Sequence, residues 1–273
     1  MPEWGVAQVL GQRESQQDSY ASKPIGNALL ALVADGMGGH AHGGLASATV
    51  ARTFTEALER SAGTWPDRLK LALEAAQADL TSQFEVDDAS RGAGTTVIAA
   101  VVEQGVVWHL SVGDSILALV ENGIWRRLNA DHSMLPLLER QQAEGLIGAD
   151  ELVSHPARSQ LRSAIMAGGV PAIVDCPQEP ALLAPGATLL LMSDGMAVLD
   201  SNELASIITG YANAQEAAAG ATARVAALEL PGQDNATLLV VRTSLPNGGK
   251  RVAGLLASVA TGLALAGAWY LLT

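Results

Sequence analysis

Five aspartates stand where apolar runs stop or tight turns begin: Asp18 in GQRESQQDSY, Asp35 in LLALVADG, Asp114 in LSVGDS, Asp194 in LLLMSDG and Asp234 in GQDN. A strand end is a rigid support from which to aim a carboxylate, and a neighbouring glycine admits close approach of backbone or substrate. Hard oxygen donors gathered in this way suit Mg2+ or Mn2+, whereas zinc favours His or Cys. Taken singly, Asp35-Gly36 and Asp194-Gly195 read as turn dipeptides, and Asp234-Asn235 as an ordinary turn. Turn chemistry does not explain why the apolar runs LLALVAD and TLLLMSD both end abruptly in Asp-Gly.

Other reactive side chains carry less signal. Cys176 is the only cysteine and sits in DCPQEP without a basic neighbour to stabilise a thiolate, so it reads as structural. His40, in GMGGH, is placed either as a general acid or as a polar residue of a Gly-rich turn. His132 and Ser133 read as a solvated loop. His42, His109 and His155 show no partner pattern.

The elements that must position these groups are short. Strand-like runs fall at Ala28–Asp35, Thr95–Val102, Val106–Val112, Ile116–Val120, Thr188–Ser193 and Thr237–Arg242, each stopped by Gly, Asp or Asn. Helical patterns fall at Gly44–Arg60, Asp67–Phe84, Leu135–Glu144 and Ala214–Glu229. In the second, Leu69, Leu73, Ala76 and Leu80 make one apolar stripe, entered through Trp65-Pro66. Strands in adjacent pairs, 95–112 and 116–127 with Asn122-Gly123 as a two-residue turn, predict antiparallel sheet.

Composition narrows the function classes. With 16 basic against 28 acidic residues, a net charge of −12 and no Lys/Arg run, the chain is a poor nucleic-acid binder. A single cysteine excludes an internal disulfide and a thiolate cluster, and fits a reducing compartment. No secretory signal opens the chain at Met1. Residues 244–251 (SLPNGGKR) form a linker, and Val252–Leu272 follows as 21 uncharged residues ending in Trp269-Tyr270. That length spans a bilayer core of about 30 Å, and Lys250-Arg251 places the body on the cytoplasmic side. The alternative for this segment is a buried Ala/Gly-rich helix. Gly254, Ser258, Gly262 and Ala266 share one helix face, a spacing that suits a tail-mediated homodimer, with a monomeric anchor as the plainer reading.

The segments GQRESQQDSY, LVADGMGGHAHGG, GAGTTVIAAVV, HLSVGDSILALV, LNADHS, LLLMSDGM and GQDNATLLVV resemble, in order, the motifs of the bacterial metal-dependent type 2C protein serine/threonine phosphatases. The resemblance covers about residues 4–242 and rests on the combination. It implies an α+β fold, an α-β-β-α sandwich of two antiparallel sheets flanked by helices, over residues 1–243, to which the tail would add one C-terminal transmembrane helix at 252–272. It implies two Mn2+ or Mg2+ ions and a looser third. Asp35 would bridge the first two, Asp194 and Asp234 complete the first, and the Gly36 carbonyl ligate the second. Asp18 would hold metal-bound water, Asp114 with Asp194 the third ion, and Arg13 the substrate phosphate. Two ions about 3.5–4 Å apart would make hydroxide available near neutral pH for in-line attack on phosphoserine or phosphothreonine. Partners would be phosphorylated proteins, opposing a Ser/Thr kinase at the membrane. The alternative is a catalytically weak phosphoprotein-binding module on the same fold, and a hydrolase of small phosphate esters is a third reading. Three positions depart from the common pattern: Gln17 where Glu often stands, Ile116 where Arg is frequent, and Met37 where eukaryotic relatives place the proposed acid.

Overall fold

The computed structural model describes residues 1–38, 40–84, 92–169 and 172–243, and residues 1–243 make up one compact unit. Strands β1 (Glu3–Val9), β2 (Asp18–Ile25) and β3 (Ala28–Met37) lead into helices α1 (His40–Arg60) and α2 (Trp65–Gln83). Then come β4 (Gly94–Thr95), β5 (Val97–Glu103), β6 (Val106–Val112), β7 (Ile116–Glu121) and β8 (Ile124–Arg127). Helices α3 (Leu135–Ala143) and α4 (Ala149–Ser154) follow, then β9 (Ile165–Met166), β10 (Ala181–Leu182) and β11 (Thr188–Met192). A 3-10 turn (Asp194–Val198), α5 (Ser201–Gly210), α6 (Ala214–Ala226) and β12 (Ala236–Arg242) complete the order.

These strands make two sheets, antiparallel throughout. One runs β1-β12-β11-β7-β8 and the other β10-β6-β5-β3-β4-β9, with β2 paired to β3. Alternation along β3 explains its unbroken apolar sequence: Leu29, Ala31 and Val33 face the other sheet, packing with Leu117, Leu191 and Leu239. Leu30 and Leu32 face outward onto Phe54, Leu58, Leu69 and Leu80 of α1 and α2. On the opposite outer face Leu190, Leu238 and Val240 pack against Ile208, Ala217 and Ala221 of α5 and α6. Alanine on α6 lets that helix lie close to the sheet, where a Cβ on Gly5 would come within 2.3 Å of the Gln215 backbone.

The helix entry at Trp65-Pro66 is as expected: the Thr64 side chain accepts from the Asp67 amide at 3.4 Å, and Leu69, Ala72, Ala76 and Leu80 are buried. The 116–127 hairpin also forms, with Asn122 and Gly123 both at positive φ. Several boundaries differ. Helix α1 begins at His40, inside the glycines that read as a turn, and α6 ends at Ala226, three residues early. The run Thr95–Val102 is broken at Thr96. Strands β1 and β2 and helix α5 are additions to the sequence reading. Strand β2 carries Pro24 and is partly exposed, which an edge strand tolerates because its outer N–H groups need no ladder partner.

Strand direction brings the aspartates to one end of the sandwich. Strand β2 starts where β3 ends, with Asp18 opposite Asp35. Strand β12 starts where β11 ends, and β6 ends across from Val97, two residues after Thr95 pairs with Gly36. The linker 244–251 and the apolar segment 252–272 lie outside the described residues; among those described, no helix is long and apolar enough to cross a membrane.

Candidate active site

Neither Asp-Gly pair is a two-residue hairpin turn: Asp35-Gly36 lies within β3, and Asp194-Gly195 opens a five-residue 3-10 helix. A Cβ on Gly36 would lie 2.1 Å from the Gly43 carbonyl oxygen of α1, and one on Gly195 would lie 2.0 Å from that of Asn235. Each glycine therefore lets a neighbouring backbone segment close onto the aspartate beside it. Gly36 N–H donates to the Gln17 carbonyl at 3.2 Å, and the Gln17 amide donates to Asn235 Oδ1 at 2.8 Å, so three aspartate-bearing segments are stitched together.

A cleft of about 530 Å3 opens at this end, lined by Arg13, Asp35, Gly36, Asp114, Asp194 and Asp234 among others. Asp18 lies behind it, 6% exposed; its Oδ2 accepts from Ser193 Oγ at 2.7 Å and Thr237 Oγ1 at 2.6 Å. Asp18 Oδ1 and Asp194 Oδ1 are buried without a hydrogen-bond partner among the described residues. Asp234 is at the rim, where Arg13 Nη2 approaches its Oδ2 to 2.6 Å, with the two side chains 52% and 41% exposed. Arg127 of β8 donates to the Asp114 carbonyl at 3.0 Å, bringing a guanidinium to the turn where Ile116 replaces arginine.

The carboxyls are held in an environment short of positive charge. Burial pushes Asp18 up to about 6; Asp194 and Asp234 add to the rise, while the bonds from Thr237 and Ser193 oppose it. Burial, then the charges of Asp18 and Asp194, holds Asp35 well above the carboxylate range. Burial and the Asp194 charge push Asp114 up to about 7 against the pull of Arg127. Burial also raises Asp194, opposed by a hydrogen bond with Asp35.

This donor set fits divalent metal. The donors are all oxygens, two of them buried and unpartnered, and the strained charges are of the sign that a cation relieves. Among the described residues no three acidic, His or Cys side chains already enclose an ion-sized site. Asp35, Gly36, Asp114, Asp194 and Asp234 all line the cleft, with the buried Asp18 behind it.

The raised values fix a pH dependence. A carboxyl whose folded pKa exceeds its unfolded value of 3.8 contributes stability that is fully present below 3.8 and lost as pH rises through the folded value, about 6 for Asp18 and about 7 for Asp114. A cation opposes that loss, and must displace protons where they remain. Excess Mn2+ is therefore expected to raise the melting temperature, measured against EDTA, more at pH 8 than at pH 5.5. Equal shifts at both pH values would contradict the carboxylate assignment.

Among the remaining expectations, His40 opens α1, but its side chain lies outside the described residues. The solvated-loop reading of His132 and Ser133 is overturned: both are buried, and the Gly113 amide donates to His132 Nδ1 at 3.2 Å. His109 is buried too, its Nε2 lying 3.5 Å from Asp175 Oδ2. Cys176 is part-buried and burial pushes its thiol up, as a structural cysteine requires. Sequence reasoning missed Ser193 and Thr237, which hold Asp18. The polar Ser193 and Thr237 flanking two otherwise apolar strands were the available signal.

An antiparallel double sheet between helix pairs, with five aspartates at one end, is the arrangement that the resemblance to the type 2C phosphatases implies. The protein phosphatase 2C family model matches residues 8–229, and the chain belongs to that family. The Listeria monocytogenes serine/threonine phosphatase stp is 29% identical over 233 residues, covering 82% of this chain and 88% of the relative. A Mycobacterium smegmatis Ser-Thr phosphatase, MsPP, is similar in structure at a TM-score of 0.70 and 27% identity, covering 87% of this chain and 97% of its own. The catalytic domain of a serine/threonine protein phosphatase PstP, solved in complex with two manganese ions, shares the fold at a TM-score of 0.70 and 23% identity, covering 89% of this chain and 98% of its own. The chain is a protein serine/threonine phosphatase of this family.

Proposed function

We propose that this phosphatase removes phosphate from phosphoserine and phosphothreonine in proteins with two Mn2+ or Mg2+ ions, held by Asp35, Asp194, Asp234 and the Gly36 carbonyl, and a looser third at Asp114 with Asp194. The observation that carries the reading is the convergence of four aspartates from separate segments on one cleft, with Asp18 behind it and two buried carboxylate oxygens that have no hydrogen-bond partner among the described residues. Metal held by these residues would supply a nucleophile from water near neutral pH and would neutralise charge on the phosphate. The chain's own residues do the positioning. Ser193 and Thr237 fix one oxygen of Asp18 and leave the other to orient water. Arg13 stands at the cleft mouth, where its planar fork can grip two phosphate oxygens. His40, at the start of α1, is the proposed proton donor to the leaving oxygen.

The test is phosphate release from a phosphothreonine peptide by the full chain with Mn2+ and with EDTA. Metal-dependent release is expected; release undiminished by EDTA would overturn the metal reading.

The tail supports a second element of the proposal: Val252–Leu272 anchors the enzyme in a membrane as a single pass, with the catalytic domain cytoplasmic. Its small-residue face suits a tail-mediated homodimer. Strand β12 begins two residues after Asp234 and runs away from the cleft to Arg242, so every proposed ligand precedes the tail. Deleting residues 244–273 is expected to move the protein from the membrane fraction to the soluble fraction with full activity towards the peptide. Full-length protein in the soluble fraction would refute the anchor.

A further inference from the structure

The strand run that breaks at Thr96 does so for a reason that points to a role for this side chain. Residues 33 to 36 of β3 pair in constant register with 98 to 95, which places Thr96 opposite Asp35. One half of that pair is a regular ladder bond, Thr96 N–H to the Asp35 carbonyl at 2.9 Å. The other half is not. Asp35 N–H donates to Thr96 Oγ1 at 3.1 Å, and Thr95 Oγ1 lies within hydrogen-bond distance of both the Thr96 carbonyl, at 2.9 Å, and the Asp35 carbonyl, at 2.8 Å. The backbone of Asp35 is thus set by a side-chain hydroxyl where a strand would ordinarily use a carbonyl.

That hydroxyl has a second partner. Thr96 Oγ1 lies 2.6 Å from Ser115 Oγ, in the turn that carries Asp114, and both residues are 1% exposed. The Thr96 methyl fills the space beside Gly113, where a Cβ would come within 2.6 Å of it. The far side of the same turn is held by Asn129 Nδ2, 2.9 Å from the Ser115 carbonyl, and by Arg127 on the Asp114 carbonyl. Asp35 and Asp114 belong to different hairpins, and Thr96 Oγ1 touches the segments of both.

We propose that Thr96 is a positioning residue that fixes the spacing between Asp35 and Asp114 through its hydroxyl, and so sets the affinity of the cleft for divalent metal. The inference rests on the metal reading above. Replacing the hydroxyl by an isosteric methyl leaves the Asp35 amide without its acceptor, and the strand must either bury an unpaired N–H or move Asp35 to recover a regular ladder bond. Either outcome displaces the carboxylate.

The experiment is calorimetric titration of Mn2+ into the full chain, as wild type, Thr96→Val and Thr96→Ser, with peptide kinetics and melting in EDTA alongside. Thr96→Val should bind Mn2+ at least tenfold more weakly and lose kcat more than it raises KM, while melting as a folded protein. Thr96→Ser loses the methyl but keeps the hydroxyl, and should recover metal affinity to within about threefold of wild type, which a purely space-filling role would not allow. Ser115→Ala, which removes one of the two partners, should fall between them. Wild-type affinity in Thr96→Val, or equal loss in Thr96→Val and Thr96→Ser, would overturn the proposal. Failure of the parent reading looks different: wild type that binds Mn2+ but releases phosphate equally well in EDTA removes the metal from the catalysis, and the affinities of wild type, Thr96→Val and Thr96→Ser still decide the role of Thr96. Wild type that binds no Mn2+ overturns both.

Discussion

Asp35→Ala and Asp194→Ala are each expected to lower Mn2+-dependent turnover by about a thousandfold, the equivalent of roughly 4 kcal/mol in the activation barrier. Asp35 lies near the end of buried β3 and Asp194 just beyond the end of buried β11, and both line the cleft. The loss should not come from unfolding. Asp35 is a buried carboxyl whose ionisation is opposed first by burial and then by the charges of Asp18 and Asp194. Neutralising it as Asp35→Asn should leave the metal-free protein melting at least as high as wild type at pH 8, where an ionised carboxylate costs most. Activity and metal-free stability are thus expected to move in opposite directions. Turnover above a tenth of wild type in either alanine variant would sink the dinuclear assignment.

Arg13→Ala is expected to lower kcat/KM by about 10- to 100-fold, the range of a charge-assisted hydrogen bond lost from the bound phosphate. Its pairing with Asp234 gives the prediction a second edge. The guanidinium sits 2.6 Å from a proposed metal ligand, so removing it withdraws a competing cation and should leave Mn2+ affinity unchanged or higher. Lysine at this position keeps the charge but not the planar fork, and should recover only part of the loss. Calorimetry and peptide kinetics on the same preparations separate the two effects. Normal kinetics with weakened Mn2+ binding would show that Arg13 serves the metal and not the phosphate.

The sequence reveals the catalytic end of the molecule better than its edges, and the reason is physical. Strands β3, β5, β11 and β12 are buried on both faces, so their apolar runs are long, and the aspartates beside β3, β11 and β12 are conspicuous. Strand β1 has one buried residue in seven, and β2 is an edge strand containing proline, so neither carries a hydropathy signal of comparable strength. Helix α1 begins within a glycine-rich stretch because Gly36 and Gly43 must approach closely, a demand of packing that local propensity reads as a turn. His132 looked solvated because the partner of its side chain is the amide of Gly113, a residue nineteen positions away. Thr96 was hidden inside an apparent strand. What interrupts that strand is a hydroxyl replacing a carbonyl in one ladder position, and a sequence pattern of period two has no way to register the exchange.

The central claim is that these aspartates hold catalytic metal at one end of the sandwich, and anomalous X-ray scattering from crystals of the 1–243 domain grown with Mn2+ tests it most directly. The account predicts strong manganese peaks in the cleft, one shared by Asp35 with Asp194 and Asp234 and one beside the Gly36 carbonyl, with Arg13 released from Asp234. Manganese found only at other surface carboxylates, with the Asp35 and Asp194 side chains where they stand now, would contradict it.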